Sequence, residues 1–573
     1  MNGHQGNGGV ATLERPVGSQ RRGVRIDIEG VSRRVHTRGR GEVALLEGVS
    51  FSVLPGELVA IVGPSGAGKT TLLEAIAGIA TPTSGSVRLD GVDLHANLRA
   101  FRSVLGFVPQ DDIIHAELPL ERTLRYAARL RLPSATTTAE IDAAVRDALD
   151  AVGLTDSADV RVGSLSGGQR KRASIAVELI TDPRLFFLDE PTSGLDPITS
   201  AELVARLRDL ADRSATVVFT THSVADLEAC DRIVFMTRGG RVGYVGTLQD
   251  ALDRFGVTSV PQLYCRLAET DVDAAPPATS NAVPPAGPGQ VRNRPVASGL
   301  TQWRVLTRRT LDTILRNKLT LAILVGSPAL VVGMFVILFR PGAFDLEDPN
   351  PSSMVMIGFW VVFAAFFFGL TYGLLQICTE RAILWRERLV GLRMGAYVAS
   401  KVTVLVPFLL LVVVAMLGVL RLLDRLPSRS LSTYASLGVG LLLCAIAALG
   451  LGLLASASVG NVAQATLALP MLCFPAVLFS GAILPVHVMA GTGRGLSAVI
   501  PSRWAFEAVG HDLGARAILA HGGSRLGPPL LATYGRAGTQ STGAYWLILA
   551  AFAAVFLAGT WLVLVRTAGR AVR

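Results

Sequence analysis

An α/β domain followed by an all-α membrane domain of six spans is the fold class that this sequence predicts, and three observations predict it. Short β-rich runs alternate with helical stretches from about Val24 to Leu267, the pattern of a largely parallel sheet. Inside that region the apolar run ELVAIVG leads into the glycine-rich GPSGAGKTT at Gly63 to Thr71. Beyond residue 318, six long apolar segments follow one another, each near the roughly 20 residues that a helix needs to cross the hydrocarbon core.

Composition bounds the reading. The chain has 573 residues, 50% of them hydrophobic, and a mean hydropathy of +0.46, too apolar for a wholly soluble protein. Its net charge of +10 does not point to nucleic acid. The basic residues Arg304, Arg308, Arg309, Arg316 and Lys318 border an apolar segment, which fits an anionic membrane surface. Cys230, Cys265, Cys378, Cys444 and Cys473 lie far apart, so neither a disulfide framework nor a zinc site is indicated. Residues 1–23 lack the apolar core of a secretory signal and are expected to form a disordered cytoplasmic tail.

The glycine-rich run is where chemistry enters. Gly63, Gly66 and Gly68 let the backbone approach a phosphate closely, and the loop N–H groups with the following helix N-terminus make an anion cradle. The whole loop is a candidate nucleotide contact, Pro64, Ser65, Ala67 and Thr71 included. Lys69 is placed to reach the β and γ phosphates of ATP, and Thr70 to hold Mg²⁺. A glycine-rich turn matching by chance is the alternative. Downstream, the strand-like LFFL ends at Asp189 and Glu190. At a strand's C-terminal end these suit a magnesium ligand acting through water and a base that polarises the attacking water. Taken alone they read equally as an acidic turn before Pro191. Gln110, in GFVPQDD, is a candidate sensor of the γ phosphate or Mg²⁺, and His222, closing VVFTTHS, a candidate contact to the γ phosphate. Each taken singly also reads as an ordinary solvated or structural side chain.

Order and spacing decide among these. Phosphate loop, Gln110, LSGGQRKR at Leu165 to Arg172, Asp189–Glu190, SGLD at Ser193 to Asp196 and His222 occur in one series, and this series resembles the ATPase domain of ABC transporters. The resemblance implies a head-to-tail pair of ATPase domains. Each ATP on one phosphate loop would be capped by Ser166, Gly167, Gly168 and Gln169 of the other copy, with Asp196 also in the nucleotide site. A Gly-Gly step at a helix N-terminus offers N–H groups to a γ phosphate.

The second half follows a connector. Residues 24–268 are expected to form the ATPase domain, and the Pro/Ala-rich 269–298 a flexible or semi-extended linker. Residues 299–318 should form an amphipathic helix at the cytoplasmic membrane surface, with Trp303, Leu306, Leu311, Ile314 and Leu315 on its apolar side. Residues 319–573 then hold the spans, expected at about 319–339, 354–376, 398–420, 434–456, 462–484 and 545–565. An even count puts both ends on one side, expected to be cytoplasmic at the plasma membrane. Arg381, Arg386, Arg388, Arg393 and Lys401 agree with that topology, whereas Arg421, Arg425 and Arg429 fall on the outer side against the usual charge bias.

ATPase first and membrane domain second resembles the G subfamily of ABC transporters, the White-type half-transporters. Four stretches carry the likeness: QDD from Gln110, KRASIAVELITDPRLFFLDEPTSGLD, LTRRTLDTILRN and FSGAILP. LSGGQ departs from it, since that subfamily commonly ends the signature in Glu where this chain has Gln169. The resemblance implies a coupling element in TERAILWRERLVGLRMGAY, with Glu380, Arg386, Glu387 and Arg388 as candidate contacts to the ATPase domain. It also implies a re-entrant helix pair with an extracellular loop within 485–544. Pro470, Pro475, Phe363, Phe366, Phe367 and Phe368 are candidates for an apolar substrate path or for plain packing.

The expectation is therefore an ATP- and Mg²⁺-dependent half-transporter. It would pair with an identical chain, or with a different one, contact membrane lipids, and export a small hydrophobic or amphipathic substrate. An ATP-driven sensor or assembly protein that moves no cargo is the alternative within the membrane, and a soluble ABC ATPase of repair or translation the alternative outside it. One departure bears on the base. Family members usually place an aromatic residue before the phosphate loop to stack on adenine, and GVSRRVHTRGRG has none, leaving Arg33 or Arg34 to stack its guanidinium plane. Competition of GTP with ATP for binding should accordingly show only a small preference for ATP; a strong one would contradict this reading.

Overall fold

The computed structural model describes residues 23–37, 41–102, 104–213, 215–269, 297–345, 350–521, 526–534 and 540–570. The expected tail up to residue 22 and the linker over 270–296 lie outside the described residues, as do residues 38–40 of the stretch considered for adenine. The chain divides into two units, and the division is not a single cut. Segments Met1–Asp112, Asp147–Leu154 and Ser166–Arg294 make the first; Ile113–Arg146, Thr155–Leu165 and Pro295–Arg573 make the second.

Among the described residues ten strands belong to the first unit: β1 Ile26–Thr37, β2 Gly41–Val53, β3 Leu58–Val62, β4 Ser84–Leu89, β5 Val92–Asp93, β6 Leu105–Val108, β7 Leu185–Leu188, β8 Thr216–Thr220, β9 Arg232–Thr237 and β10 Arg241–Gly246. An antiparallel sheet runs β2-β1-β4-β5, and a second sheet runs β10-β9-β3-β8-β7-β6. The second is parallel except at β10–β9. Its strands β3, β7 and β8 are buried at every position, because helices cover a parallel sheet on both faces and leave no polar side. The alternation of short apolar runs with helices already carries that topology. Helix α1, Lys69–Ile76, leaves the phosphate loop at the C-terminal end of β3. Helix α2, Leu120–Arg131, lies in the second unit, while α3, Gly167–Leu179, and α4, Pro197–Asp212, lie in the first.

The second unit is helical: α5 Gly299–Arg316, α6 Lys318–Leu338, α7 Pro351–Leu374, α8 Arg381–Leu389, α9 Met394–Leu422, α10 Leu431–Ser458, α11 Val462–Leu478, α12 Pro501–Asp512 and α13 Thr542–Arg570. Five of these, α6, α7, α9, α10 and α13, are long and apolar enough to cross a membrane. The expected fifth span is shorter than its apolar composition suggests: α11 is 17 residues long and stops at Leu478 rather than continuing to Leu484. Pro470 and Pro475 sit inside it and Gly481 takes a left-handed φ of 81° just beyond, a conformation that ends helical hydrogen bonding. The segment after it contains short helices, of which α12 packs against α7, α10 and α13.

Helix α5 also differs from its expected face. Its buried stripe is Gln302, Val305, Leu306, Arg309, Thr310 and Ile314, and Leu311 and Leu315 point outward. The inward arginine is tolerated because Arg309 Nη2 donates to Glu387 Oε2 at 3.0 Å, so neither buried charge lacks a partner. Phe366 and Phe368 are buried in the bundle, while Phe363 and Phe367 are half-buried.

The tightest helix pair in the bundle is α7 with α10. A Cβ added at Gly373 would lie 2.6 Å from the Leu449 carbonyl oxygen, and one at Gly369 or Gly452 would collide with the carbonyl oxygen of Ala445 or Leu370. Small residues let two apolar helices approach backbone to backbone where lipid supplies no hydrophobic drive. Gly369→Val is expected to cost about 1–3 kcal/mol and to lower the thermal midpoint of the detergent-solubilised protein. Gly333→Val, at a position where an added Cβ has nothing within 4 Å, should leave that midpoint nearly unchanged.

Candidate functional site

The phosphate loop is shaped by what its glycines avoid. Gly63 has φ 146° and Gly68 φ 91°. A side chain on Gly63 would strike the Met236 carbonyl oxygen, and one on Gly68 would come within 2.7 Å of the Leu45 carbonyl oxygen. Ala67 is fully buried beneath the loop, Pro64 is half-buried, and Ser65 and Gly66 are exposed at its crest. The Lys69 ammonium donates to the carbonyl oxygens of Gly63 and Pro64, both at 3.1 Å. Burial draws it below the ordinary lysine value, with Glu190 and Asp189 opposing. Thr70 and Thr71 follow in the first turn of α1, Thr70 exposed and Thr71 half-buried.

Two carboxylates meet this loop at the end of β7. Asp189 is 3% exposed, and its Oδ1 accepts from Thr220 Oγ1 at 2.6 Å and from Thr70 Oγ1 at 3.2 Å. Glu190 stands at φ 46°, left-handed backbone that a non-glycine residue adopts only when its surroundings impose it. Those surroundings are explicit: Glu190 N–H donates to Thr220 Oγ1 at 2.8 Å, Gln110 Nε2 donates to Glu190 Oε2 at 3.1 Å, and His222 Nε2 lies 2.6 Å from Glu190 Oε1. Gln110, the adjacent Asp189 and Glu190, and His222, drawn from three separate stretches, therefore converge on one place.

A magnesium ion suits only part of this set. The Thr70 and Asp189 oxygens, 3.2 Å apart, are close to the edge of about 2.9 Å that an octahedron of magnesium ligands presents. Gln110 turns its amide nitrogen to Glu190 instead. Among the described residues no three His, Cys, Asp or Glu side chains gather as a metal cluster.

The signature motif is built as a helix start. Ser166 caps α3: its Oγ accepts from Gln169 N–H at 3.2 Å, and Gln169 Oε1 accepts from Ser166 N–H at 3.0 Å. This reciprocal capping box uses Gln or Glu equally well, so Gln169, the departure from the G-subfamily signature, still closes the cap. Gly167 and Gly168 open the helix. Among the described residues no hydrogen bond or ion pair joins Ser166, Gly167, Gly168 or Gln169 to Lys69, Thr70, Asp189 or Glu190. Asp196 caps α4 through Ile198 N–H at 3.1 Å, Thr199 N–H at 3.0 Å and Thr199 Oγ1 at 2.6 Å. The Thr199 hydroxyl, ahead of the backbone donors, holds its carboxyl below the usual range.

Three residues that sequence reasoning passed over organise the site. Thr220 bridges Asp189 and the Glu190 amide. Lys171, buried in α3, donates to the Gln110 carbonyl oxygen at 2.5 Å. Asp226, also buried, accepts from Thr192 at 2.7 Å and Thr221 at 2.6 Å, tying the turn after Glu190 to the strand end before His222. A charged residue inside the apolar face of KRASIAVEL and the paired threonines of VVFTTHS were the available signals. Arg33, considered for adenine, is committed to Glu74 at 3.4 Å, and Arg34 lies 3.8 Å from Glu42.

The pattern described as ABC transporter matches residues 46–193, and that described as ABC-2 type transporter matches residues 301–511. A Nod factor export ATP-binding protein I of Rhizobium etli is 35% identical over 225 residues, which are 39% of this chain and 70% of that protein. The chain belongs to the ABC transporter family. An ABC transporter ATP-binding/permease protein of Mycobacterium tuberculosis is 34% identical over 514 residues, 84% of this chain, and the chain spans only 57% of its length. ABC transporter G family member 8 of Arabidopsis thaliana is 32% identical over 396 residues, 64% of each chain. With cassette before membrane helices, this ABC transporter has the arrangement of the G-type members and is a multi-pass membrane protein.

In the second unit the expected coupling stretch holds a buried ionic cluster. Besides Arg309 with Glu387, Glu380 accepts from Lys401 Nζ at 2.7 Å and from Tyr397 at 2.9 Å. Arg388 donates to the Leu564 carbonyl oxygen at 2.9 Å. From the other side α2 reaches α5, with Arg122 at 2.9 Å and Tyr126 at 2.7 Å from Asp312. His115 is buried in the same unit with no hydrogen-bond partner for Nε2. Burial first, then Arg309, pushes its pKa down to about 4, with Glu380 and Glu387 opposing. A folded value below the ordinary 6.5 means that the unfolded chain binds the proton more readily, so stability is full above pH 6.5 and falls toward pH 4. Glu380 and Glu387, held low despite burial by Lys401 and Arg309, stay ionised through that window. The thermal midpoint should decline between pH 6.5 and 4.5, and His115→Gln should flatten that decline; an unchanged slope would contradict the assignment.

Proposed function

We propose that this protein is an ATP-hydrolysing half-transporter that pairs with a second copy of itself and exports a hydrophobic or amphipathic substrate across the plasma membrane. One observation carries the proposal. Within one chain the residues placed to face phosphate, Lys69, Thr70, Asp189 and Glu190, meet, and among the described residues the glycine-opened start of α3 makes no polar contact with them. An ATP site made of these parts needs the α3 start from a second cassette.

In this reading the loop N–H groups from Gly63 to Thr70 and the Lys69 ammonium bind the β and γ phosphates. Thr70 and Asp189 hold Mg²⁺, which when bound neutralises phosphate charge and orients the leaving group. Glu190 orients and polarises the attacking water, His222 and Gln110 hold its carboxylate, and Thr220 fixes its backbone. Ser166 of the partner subunit and the N–H groups of Gly167 of the partner subunit and Gly168 of the partner subunit close on the γ phosphate. Asp196 acts by positioning, because its carboxylate is committed to capping α4.

Closure of two cassettes around ATP favours one arrangement of the membrane helices, and hydrolysis releases it. The segment from Glu380 to Arg388 is assigned the transmission of that motion, on the cytoplasmic side together with the cassette. Export as the direction rests on the G-type arrangement and on relatives named for Nod factor export. Glu190→Gln should lower ATP turnover by at least about a hundredfold while leaving ATP bound and the pair of chains locked together, seen as nucleotide retention with an ATP-dependent increase in mass. Near-normal turnover would remove Glu190 from its role. Vesicles containing the purified chain, screened with lipids and drug-like amphiphiles, test the transport itself.

A further inference from the structure

The charge bias of the spans left Arg421, Arg425 and Arg429 unexplained, and the structure gives two of them a common place. Arg421 ends α9, Arg429 precedes α10, and both line a groove of about 620 Å³ between these two candidate spans. The walls are apolar, with Leu410, Val414 and Leu417 on one side and Val439 and Leu442 on the other. Gly418 and Gly438 open the middle: a Cβ added at Gly418 would have nothing within 4 Å.

Length and charge say what fits. From Arg421 back to Leu410, and from Leu431 to Leu442, eleven residues separate mouth from floor on each helix, about 16 Å at the helical rise and close to the roughly 15 Å depth of one leaflet's hydrocarbon. At the mouth the arginines are pinned but not used up. Arg421 donates to Ser428 Oγ at 2.9 Å, Arg429 to the Leu513 carbonyl oxygen at 3.4 Å, and Tyr434 is tethered to the Pro427 carbonyl oxygen at 2.8 Å. Among the described residues neither guanidinium has a carboxylate within ion-pair distance, and each carries five N–H donors in a fork that matches phosphate. Snorkelling alone would let an arginine reach water; it does not require two of them over the open end of an acyl-sized groove.

We infer that the groove between α9 and α10 is a binding site for a membrane phospholipid with an anionic headgroup, its acyl chain between the helices and its phosphate on Arg421 and Arg429. The inference rests on the chain's lying in a bilayer, not on its transporting anything, so failure of one leaves the other standing. The test is lipid retention by the purified full chain, read by native mass spectrometry after exchange into an equal mixture of phosphatidylglycerol and phosphatidylcholine with identical acyl chains. Phosphatidylcholine offers the same phosphate but offsets its charge with choline, so the wild type should retain phosphatidylglycerol, whose charge is uncompensated, in about tenfold excess. Arg421→Gln with Arg429→Gln should bring the ratio to about one, and Gly418→Phe, which fills the groove, should lose both lipids together. Equal retention by the wild type would overturn the proposal. So would displacement of phosphatidylglycerol by millimolar inorganic phosphate alone, which would make this a free-anion site. A change of oligomeric state in the arginine variant would overturn it too, since the face would then belong to a second copy.

Discussion

A single hydroxyl at the end of β8 sets the geometry on which the rest depends. Thr220 Oγ1 donates to the Asp189 carboxylate and accepts from the Glu190 amide, and through it the neighbouring strand dictates how the acidic pair leaves β7. The pair pulls in different directions, Asp189 toward Thr70 of the phosphate loop and Glu190 toward Gln110 and His222. The left-handed backbone at Glu190 is the local cost of turning two adjacent carboxylates to two different tasks. Parallel strands make this possible, because their C-terminal ends lie side by side and several loops emerge at one edge.

The second unit solves a different problem with different means. Its helices cannot be held by hydrophobic drive within lipid, so contact comes from the glycines of α7 and α10 and from charge pairs sealed near the helix ends. Arg309 with Glu387 and Lys401 with Glu380 are buried pairs that stabilise little beyond their desolvation cost, and their value lies in register: each joins a helix of the bundle to the stretch around α8. The segment 113–146 groups with that unit rather than with the strands that precede it, and within the unit its helix α2 meets α5 through Asp312.

The site was legible to the extent that its chemistry is local. Lys69, Thr70, Asp189, Glu190 and His222 stand in runs whose residue types and spacing follow from binding phosphate at strand ends, and the structure brings them together. Thr220, Lys171 and Asp226 left only faint signals, a charge in the apolar face of KRASIAVEL and the paired threonines of VVFTTHS, because the partners Asp189, Gln110 and Thr192 that give them their roles lie 31, 61 and 34 residues away. The long spans were readable from apolar length alone. The early stop of α11 was not, because apolar composition continues to Leu484 while the backbone turns at Phe479 to Gly481. The face of α5 was misjudged for a related reason: Arg309 points inward only because Glu387, far away in sequence, meets it.

The central claim is that each nucleotide site is completed by a second chain. It is tested most directly by placing cysteines at Ser65 and Ser166 in one chain whose native cysteines have been replaced, and by treating the membrane-embedded protein with a short bifunctional thiol reagent in the presence of ATP. The account predicts a covalent species of twice the chain's mass that depends on ATP. A link formed within single chains, or no ATP-dependent link at all, would contradict it.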